Sequence, residues 1–190
     1  MVKNLVLAIL LLCCISGISA QSQNENGHFM VEFDAFSPPI KDMIDHFEGR
    51  SLIPFMASDL NGKEHFNGNY KGKTLILFFW KKDCTLCLDQ LQNLNSIKAT
   101  YDARDIQIIS LYNEDKASAK TYVQDYGVDF PVIANAQILS EGAYGSDIGY
   151  PRVFIVDSKG ITQKVIPEEA FLASTDGYLL IQKYLEIVLP

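Results

Sequence analysis

The seven residues TLILFFW (74–80) limit the fold more than any other stretch of this 190-residue chain. The run has no alternation of polar and apolar positions, and β-branched and aromatic residues dominate it. Such a run reads as a central strand buried on both faces, which requires a sheet with helices packed over it. Lys81, Lys82 and Asp83 follow, then Cys84 and Cys87. From Cys84 to about Tyr101 the pattern turns helical. Cys87, Leu91, Leu94, Ile97 and Tyr101 recur at spacings of four, three, three and four, which makes one buried stripe.

The rest of the chain repeats this alternation. IQIISLY (106–112) predicts a second buried strand, and DKASAKTYVQDYG (115–127) a helix turning Ala119, Tyr122, Val123 and Tyr126 inward. Gly127 is its expected stop. FPVIA (130–134) reads as a strand, 136–144 as a short helical segment, and RVFIVDSKGITQKVI (152–166) as two strands about the turn Asp157–Gly160. Residues 167–174 read as a loop. A last helix from about Asp176 is expected to turn Leu180, Tyr184, Ile187 and Val188 inward, with Pro190 at its end. The order β-α-β-α-β-β-α is that of an α/β domain, a central sheet flanked by helices. Upstream, Asn61-Gly62 marks a β-hairpin between short strands. Pro38-Pro39 interrupts helical continuity, leaving IKDMIDHF (40–47) one or two amphipathic turns, and QSQNENG (21–27) reads as a polar leader.

Composition enters in two places. With 48% hydrophobic and 21% charged residues the chain suits one domain plus small additions. A formal charge of −7 without a basic patch excludes a nucleic-acid partner.

Residues 1–20 have the anatomy of a secretory signal peptide: Lys3, an apolar stretch from Leu5 to Ile15, and small residues ending at Ala20. An uncleaved membrane anchor is the alternative; cleavage there removes Cys13 and Cys14, so the exported chain keeps one close pair, Cys84 and Cys87, and no disulfide framework.

Helix geometry treats these two sulfurs differently. Cys84 stands where the helix begins, facing unpaired amides and the positive end of the dipole, which favour a thiolate. Cys87 begins the buried stripe. An exposed, activated sulfur with a covered neighbour one turn away suits thiol–disulfide exchange: the first attacks, the second resolves. Two structural core cysteines are the plain alternative. Zinc needs about four ligands, and the only histidines are His28, His46 and His65, all upstream. A copper site using a histidine late in the chain fails because none follows His65.

GKTLILFFWKKDCTLC, YGVDFPVIAN and YPRVFIVDSKG, in that order, resemble the TlpA/ResA-type thioredoxin-like proteins of bacterial envelopes over residues 50–190. The resemblance implies a thioredoxin-like fold for 50–190, after a signal peptide (1–20) and a leader with N-terminal extension (21–49). It implies a thiol–disulfide oxidoreductase in which Cys84 attacks, Cys87 resolves, and their disulfide serves in place of any cofactor or metal. Trp80 would pack beside the pair, Pro151 would be a cis proline facing it, and the Tyr150 backbone would receive substrate. Implied partners are protein thiols or disulfides of the envelope, with a membrane thiol relay as reductant and the periplasm as location.

The chain also departs from the family. The buried Asp that thioredoxin keeps six residues before its first cysteine is here Phe78, and the Glu that ResA-like members place three residues after the second is Gln90. Asp83 and Asp89 are the carboxylates that stand near enough in sequence to substitute. Asp83 replaces the usual Trp, and the intervening pair is Thr85-Leu86. An anion beside a thiol raises its pKa, so the expectation is a reducing or exchanging protein rather than an oxidant. Lys81 stands where a peroxiredoxin has Thr three residues before its cysteine. A second reading keeps the fold as a binding or scaffold module with slow cysteines; the missing carboxylates, bulky Tyr150 and the segment PEEAFLAST (167–175) motivate it.

Overall fold

A computed structural model describes residues 36–101, 105–145 and 149–189. The predicted signal peptide with Cys13 and Cys14, the leader, His28 and Pro190 lie outside the described residues.

The TLILFFW run is strand β3 (Thr74–Trp80), and each of its side chains is buried. It is the middle of a five-stranded mixed sheet that also contains β4 (Ile106–Tyr112), β5 (Val132–Ile133), β6 (Arg152–Val156) and β7 (Thr162–Ile166), in the order β5-β4-β3-β6-β7. β3 runs parallel to β4 and antiparallel to β6. Flanking β3 on both sides removes its free edges, and helices cover its faces, which is why it needs no polar position. Strands β1 (Met56–Ser58) and β2 (Glu64–Phe66) form the small hairpin. Its turn holds Gly62 at φ +83°, and the Asp59 carboxylate accepts from the Asn61 and Lys63 amides at 2.8 and 3.0 Å.

Helix α1 (Pro38–Phe47) is longer than the sequence suggested. The two prolines open it instead of breaking it, because the first helical turn has no use for the N–H that proline lacks. Ile40, Met43, Ile44 and Phe47 enter the common core, with Phe47 against Tyr144 and Phe154. Glu48 ties the end of α1 to β7, accepting from the Val165 amide at 2.9 Å and meeting Lys164 Nζ at 3.1 Å.

Helix α2 (Thr85–Thr100) follows the cysteine loop and α3 (Lys116–Asp125) follows β4. A π-helical turn, Ile138–Ala143, stands where a short helical segment was expected. Residues 168–173, expected as loop, form α4 (Glu168–Ala173). Pro167 starts it, Glu168 and Glu169 suit its first turn, and Ala170 and Phe171 are buried. Helix α5 (Gly177–Val188) is capped by the Asp176 side chain, which accepts from the Leu179 amide. It buries Leu180, Ile181 and Leu185, whereas Ile187, expected inward, is 71% exposed. Tyr184 and Val188, also expected inward, are partly buried against the core, so Ile187 alone of the expected stripe faces out.

Candidate active site

The site lies where β3 ends and α2 begins. Asn113, just past β4, donates its backbone N–H to the carbonyl of Trp80 at 3.2 Å. The Lys82 amide donates to the Glu114 carboxylate at 2.9 Å. The chain then reverses at Asp83, whose φ of +56° lies in the left-handed region. Asp and Asn enter that region more readily than other side-chain-bearing residues. Asp83 is therefore a turn residue by conformation, with its carboxylate exposed to solvent.

Cys84 is the N-cap of α2. Its Sγ accepts the Cys87 amide at 3.1 Å, and its carbonyl takes the Leu88 amide at 3.2 Å. A sulfur in this position meets an orphan helix amide and the positive end of the dipole, both of which favour a thiolate over a thiol. Cys84 and Cys87 form a disulfide. Cys87 is fully buried and Cys84 is partly exposed, so the two sulfurs are unequal in access.

Facing Cys84 is the loop before β6. The Tyr150–Pro151 peptide is cis, and the Tyr150 carbonyl oxygen lies 3.6 Å from Cys84 Sγ. Trp80 is buried at the end of β3, its indole 4.3 Å from the Tyr112 ring, edge-on to Tyr122 and stacked with Phe78. Phe78, at the position of the absent aspartate, is fully buried in this aromatic layer.

The remaining expected residues are apart from this face. Asp89 is exposed. Gln90 is buried, and its Oε1 accepts from Asn93 Nδ2 at 2.9 Å. Its amide lies so near Gly177 that a Cβ there would stand 2.4 Å from Oε1. Gln90 thus serves the close approach of α2 and α5. Among the described residues no group of three or more His, Cys, Asp and Glu converges as a metal site would.

The sequence reading passed over the group that holds Tyr150. Arg152, fully buried on β6, places its guanidinium 4.8 Å from the Tyr150 ring centroid and 5.2 Å from that of Phe79. It donates to the carbonyls of Ser140, at 2.8 Å, and Gly145. Burial lowers its pKa, opposed by Tyr150 and Glu141. Asn113 Nδ2 donates to the Tyr150 hydroxyl at 2.8 Å, and Asn113 Oδ1 accepts from the Ser140 hydroxyl. Lys81 Nζ stands 5.5 Å from the same tyrosine ring. A signal existed: an arginine opening an otherwise apolar strand needs partners inside the fold. The sequence does not say which.

Comparison with known proteins is consistent with this geometry. Residues 48–165 match the family model described as AhpC/TSA family. The chain is similar to the thiol-disulfide oxidoreductase ResA of Bacillus anthracis, 30% identical over 133 residues, 69% of this chain and 76% of that protein. It is similar also to ResA of Geobacillus thermodenitrificans, 29% identical over 120 residues, 62% of this chain and 68% of the relative. Among solved structures, a thiol:disulfide interchange protein of the thioredoxin family from Chlorobium tepidum superposes with a TM-score of 0.62 at 21% identity, covering 74% of this chain and 96% of that one. A secreted disulfide oxidoreductase of Mycobacterium tuberculosis superposes at 0.59 with 16% identity, covering 70% and 95%. At these identities the structures speak to the thioredoxin-like fold alone.

Proposed function

The chain belongs to the AhpC/TSA family and is a thiol–disulfide oxidoreductase of the ResA type; from that premise we propose that Cys84 attacks disulfides of exported proteins and Cys87 resolves the product. The observation that carries this reading is the pairing of a partly exposed N-cap sulfur with a buried one, beneath a backbone carbonyl 3.6 Å away.

In the reducing direction the Cys84 thiolate attacks one sulfur of a substrate disulfide. A Cys84–substrate disulfide forms, and the other substrate sulfur leaves as a thiolate that takes a proton from water. Cys87, deprotonated, then attacks Cys84 Sγ. The Cys84–Cys87 disulfide forms and the second substrate thiolate departs, so two electrons have passed to the substrate. A dithiol donor must reduce the pair again, and a membrane thiol relay is the class of donor that fits an exported protein.

Tyr150 and Pro151 receive the substrate backbone in this scheme, and Trp80 supports the strand end from which the cysteine loop departs. The N-terminal twenty residues direct export and are cleaved after Ala20, with the periplasm as destination; N-terminal sequencing of the mature protein tests that step.

Insulin reduction tests the chemistry. Wild type is expected to turn over with a dithiol donor and Cys84→Ser to be inactive. Cys87→Ser is expected to accumulate mixed disulfides that mass spectrometry assigns to Cys84. Equal, negligible rates in wild type and Cys84→Ser would instead make the domain a binding module.

A further inference from the structure

The segment PEEAFLAST has no part in the scheme above, yet the sheet delivers it to the same place. Val153 of β6 pairs with Ile166 of β7, so the chain leaving β7 emerges beside the chain entering β6. Glu168, two residues past Ile166, reaches the loop that faces Cys84. Its Oε2 lies 1.5 Å from the point where a Cβ on Gly149 would stand. Gly149 thus leaves the space that this carboxylate occupies, and the next residue, Tyr150, is the one whose carbonyl faces Cys84 Sγ.

We propose that Glu168 is a positioning residue for exchange, its carboxylate setting the charge beside the Gly149–Tyr150 backbone and so how readily Cys84 holds a thiolate. It brings a carboxylate from α4 to the loop that faces the pair, where the positions on β3 and α2 are filled by Phe78 and Gln90. The inference rests on Cys84 as the attacking sulfur.

Among the described residues two charged groups act on Glu168. Glu169, its neighbour on α4, adds a second negative charge, and one oxygen of Glu169 is shut from water without a hydrogen-bond partner among the described residues. Lys81, in the loop after β3, supplies the opposing cation. Among the described residues the Gly149–Tyr150 loop carries one titratable group, the Tyr150 phenol, which accepts from Asn113. Burial, then Glu169, raises the Glu168 pKa, and Lys81 opposes them. As Glu168 loses its proton, negative charge accumulates at the loop that faces Cys84. A thiolate there becomes less favourable, and the Cys84–Cys87 disulfide becomes less oxidising.

The test is the pH dependence of iodoacetamide alkylation of Cys84 in the reduced full-length protein, resolved by site with mass spectrometry. Glu168→Gln is expected to move the profile to lower pH, with alkylation on its acid limb faster by roughly threefold. Glu168→Asp, which restores the charge, is expected to move it back. Lys81→Gln, a change at an exposed position that does not endanger folding, is expected to move it the opposite way. A profile unchanged in either glutamine variant overturns the proposal, whatever the melting temperature does. Failure of the redox reading looks different: wild type would not reduce insulin, while the alkylation profiles would still shift.

Discussion

The Asn113 side chain donates a 2.8 Å hydrogen bond to the hydroxyl of Tyr150, so the residue whose carbonyl lies 3.6 Å from Cys84 Sγ is held at its far tip. Asn113 stands one residue past the end of β4, and β4 is parallel to β3, which delivers Cys84. Two strands that end together thereby position both sides of the reacting sulfur.

Removing the Asn113 side chain is accordingly expected to hurt exchange more than stability. Asn113→Ala should lose about 1 kcal/mol of unfolding free energy in urea, while kcat/KM for insulin reduction falls several-fold. Tyr150→Phe should reproduce the kinetic loss. Undiminished kinetics in both variants would show that the tyrosine is held by its ring alone.

Arg152 is a harder test of the same network. Its guanidinium spans the Ser140 and Gly145 carbonyls and the faces of Tyr150 and Phe79. Arg152→Met takes this donor from the Ser140 and Gly145 carbonyls, of which Ser140 is buried, and urea denaturation should show a loss of about 3 kcal/mol. Arg152→Lys should recover only part of it, because an ammonium cannot reach both carbonyls as the planar fork does. Full recovery by lysine would remove the geometric argument.

Asp83 separates conformation from charge. At φ +56°, Asp83→Asn and Asp83→Gly should fold as wild type does, whereas Asp83→Ala should cost about 1 kcal/mol. If the carboxylate also disfavours the Cys84 thiolate, Asn should move the glutathione equilibrium of the pair toward a stronger oxidant. The exposed side chain is screened by solvent and salt, so the shift should shrink at high ionic strength. Equal stability of the Ala and Asn variants would refute the turn role.

The hairpin contributes a pH dependence of its own. His65 Nε2 meets Asp59 Oδ2 at 3.0 Å, both groups are buried, and His65 Nδ1 contacts the Tyr70 hydroxyl. Burial alone would raise the Asp59 pKa, but hydrogen bonds from His65 and the Lys63 and Asn61 amides outweigh it and hold the carboxyl below its usual value. A folded-state pKa below the unfolded one adds stability above the unfolded value, lost as pH falls through the folded one. Unfolding free energy should therefore decline below about pH 4, and Asp59→Asn should flatten that decline. An acid limb unchanged in Asp59→Asn would assign it to other carboxylates.

Much of the architecture was legible because its signals are local. The uniform apolarity of TLILFFW marks a strand buried on both faces, Asn61-Gly62 marks the hairpin, and Cys87, Leu91, Leu94 and Ile97 mark one helix face. Each is set by periodicity or turn chemistry within a few residues. Where local signals compete, the reading failed. Pro38-Pro39 is a breaker inside a helix but a favourable start to one, and only the core waiting for Ile40, Met43, Ile44 and Phe47 makes the helix worth forming. Ala170 and Phe171 decide α4 in the same way, since six residues cannot hold a helix without burying a face.

By itself the sequence determined the position of Cys84 at a helix start, the burial of Cys87 and the absence of carboxylates at 78 and 90, because helix phase and residue identity need no partner to be read. Tertiary structure alone decided what surrounds the pair. The register of β3 with β4 and β6, and of β6 with β7, brings Asn113, Tyr150, Arg152 and Glu168 to one end of the sheet from places far apart in the chain. Pairings of that kind depend on which strands become neighbours, and a strand's own residues do not specify its neighbour.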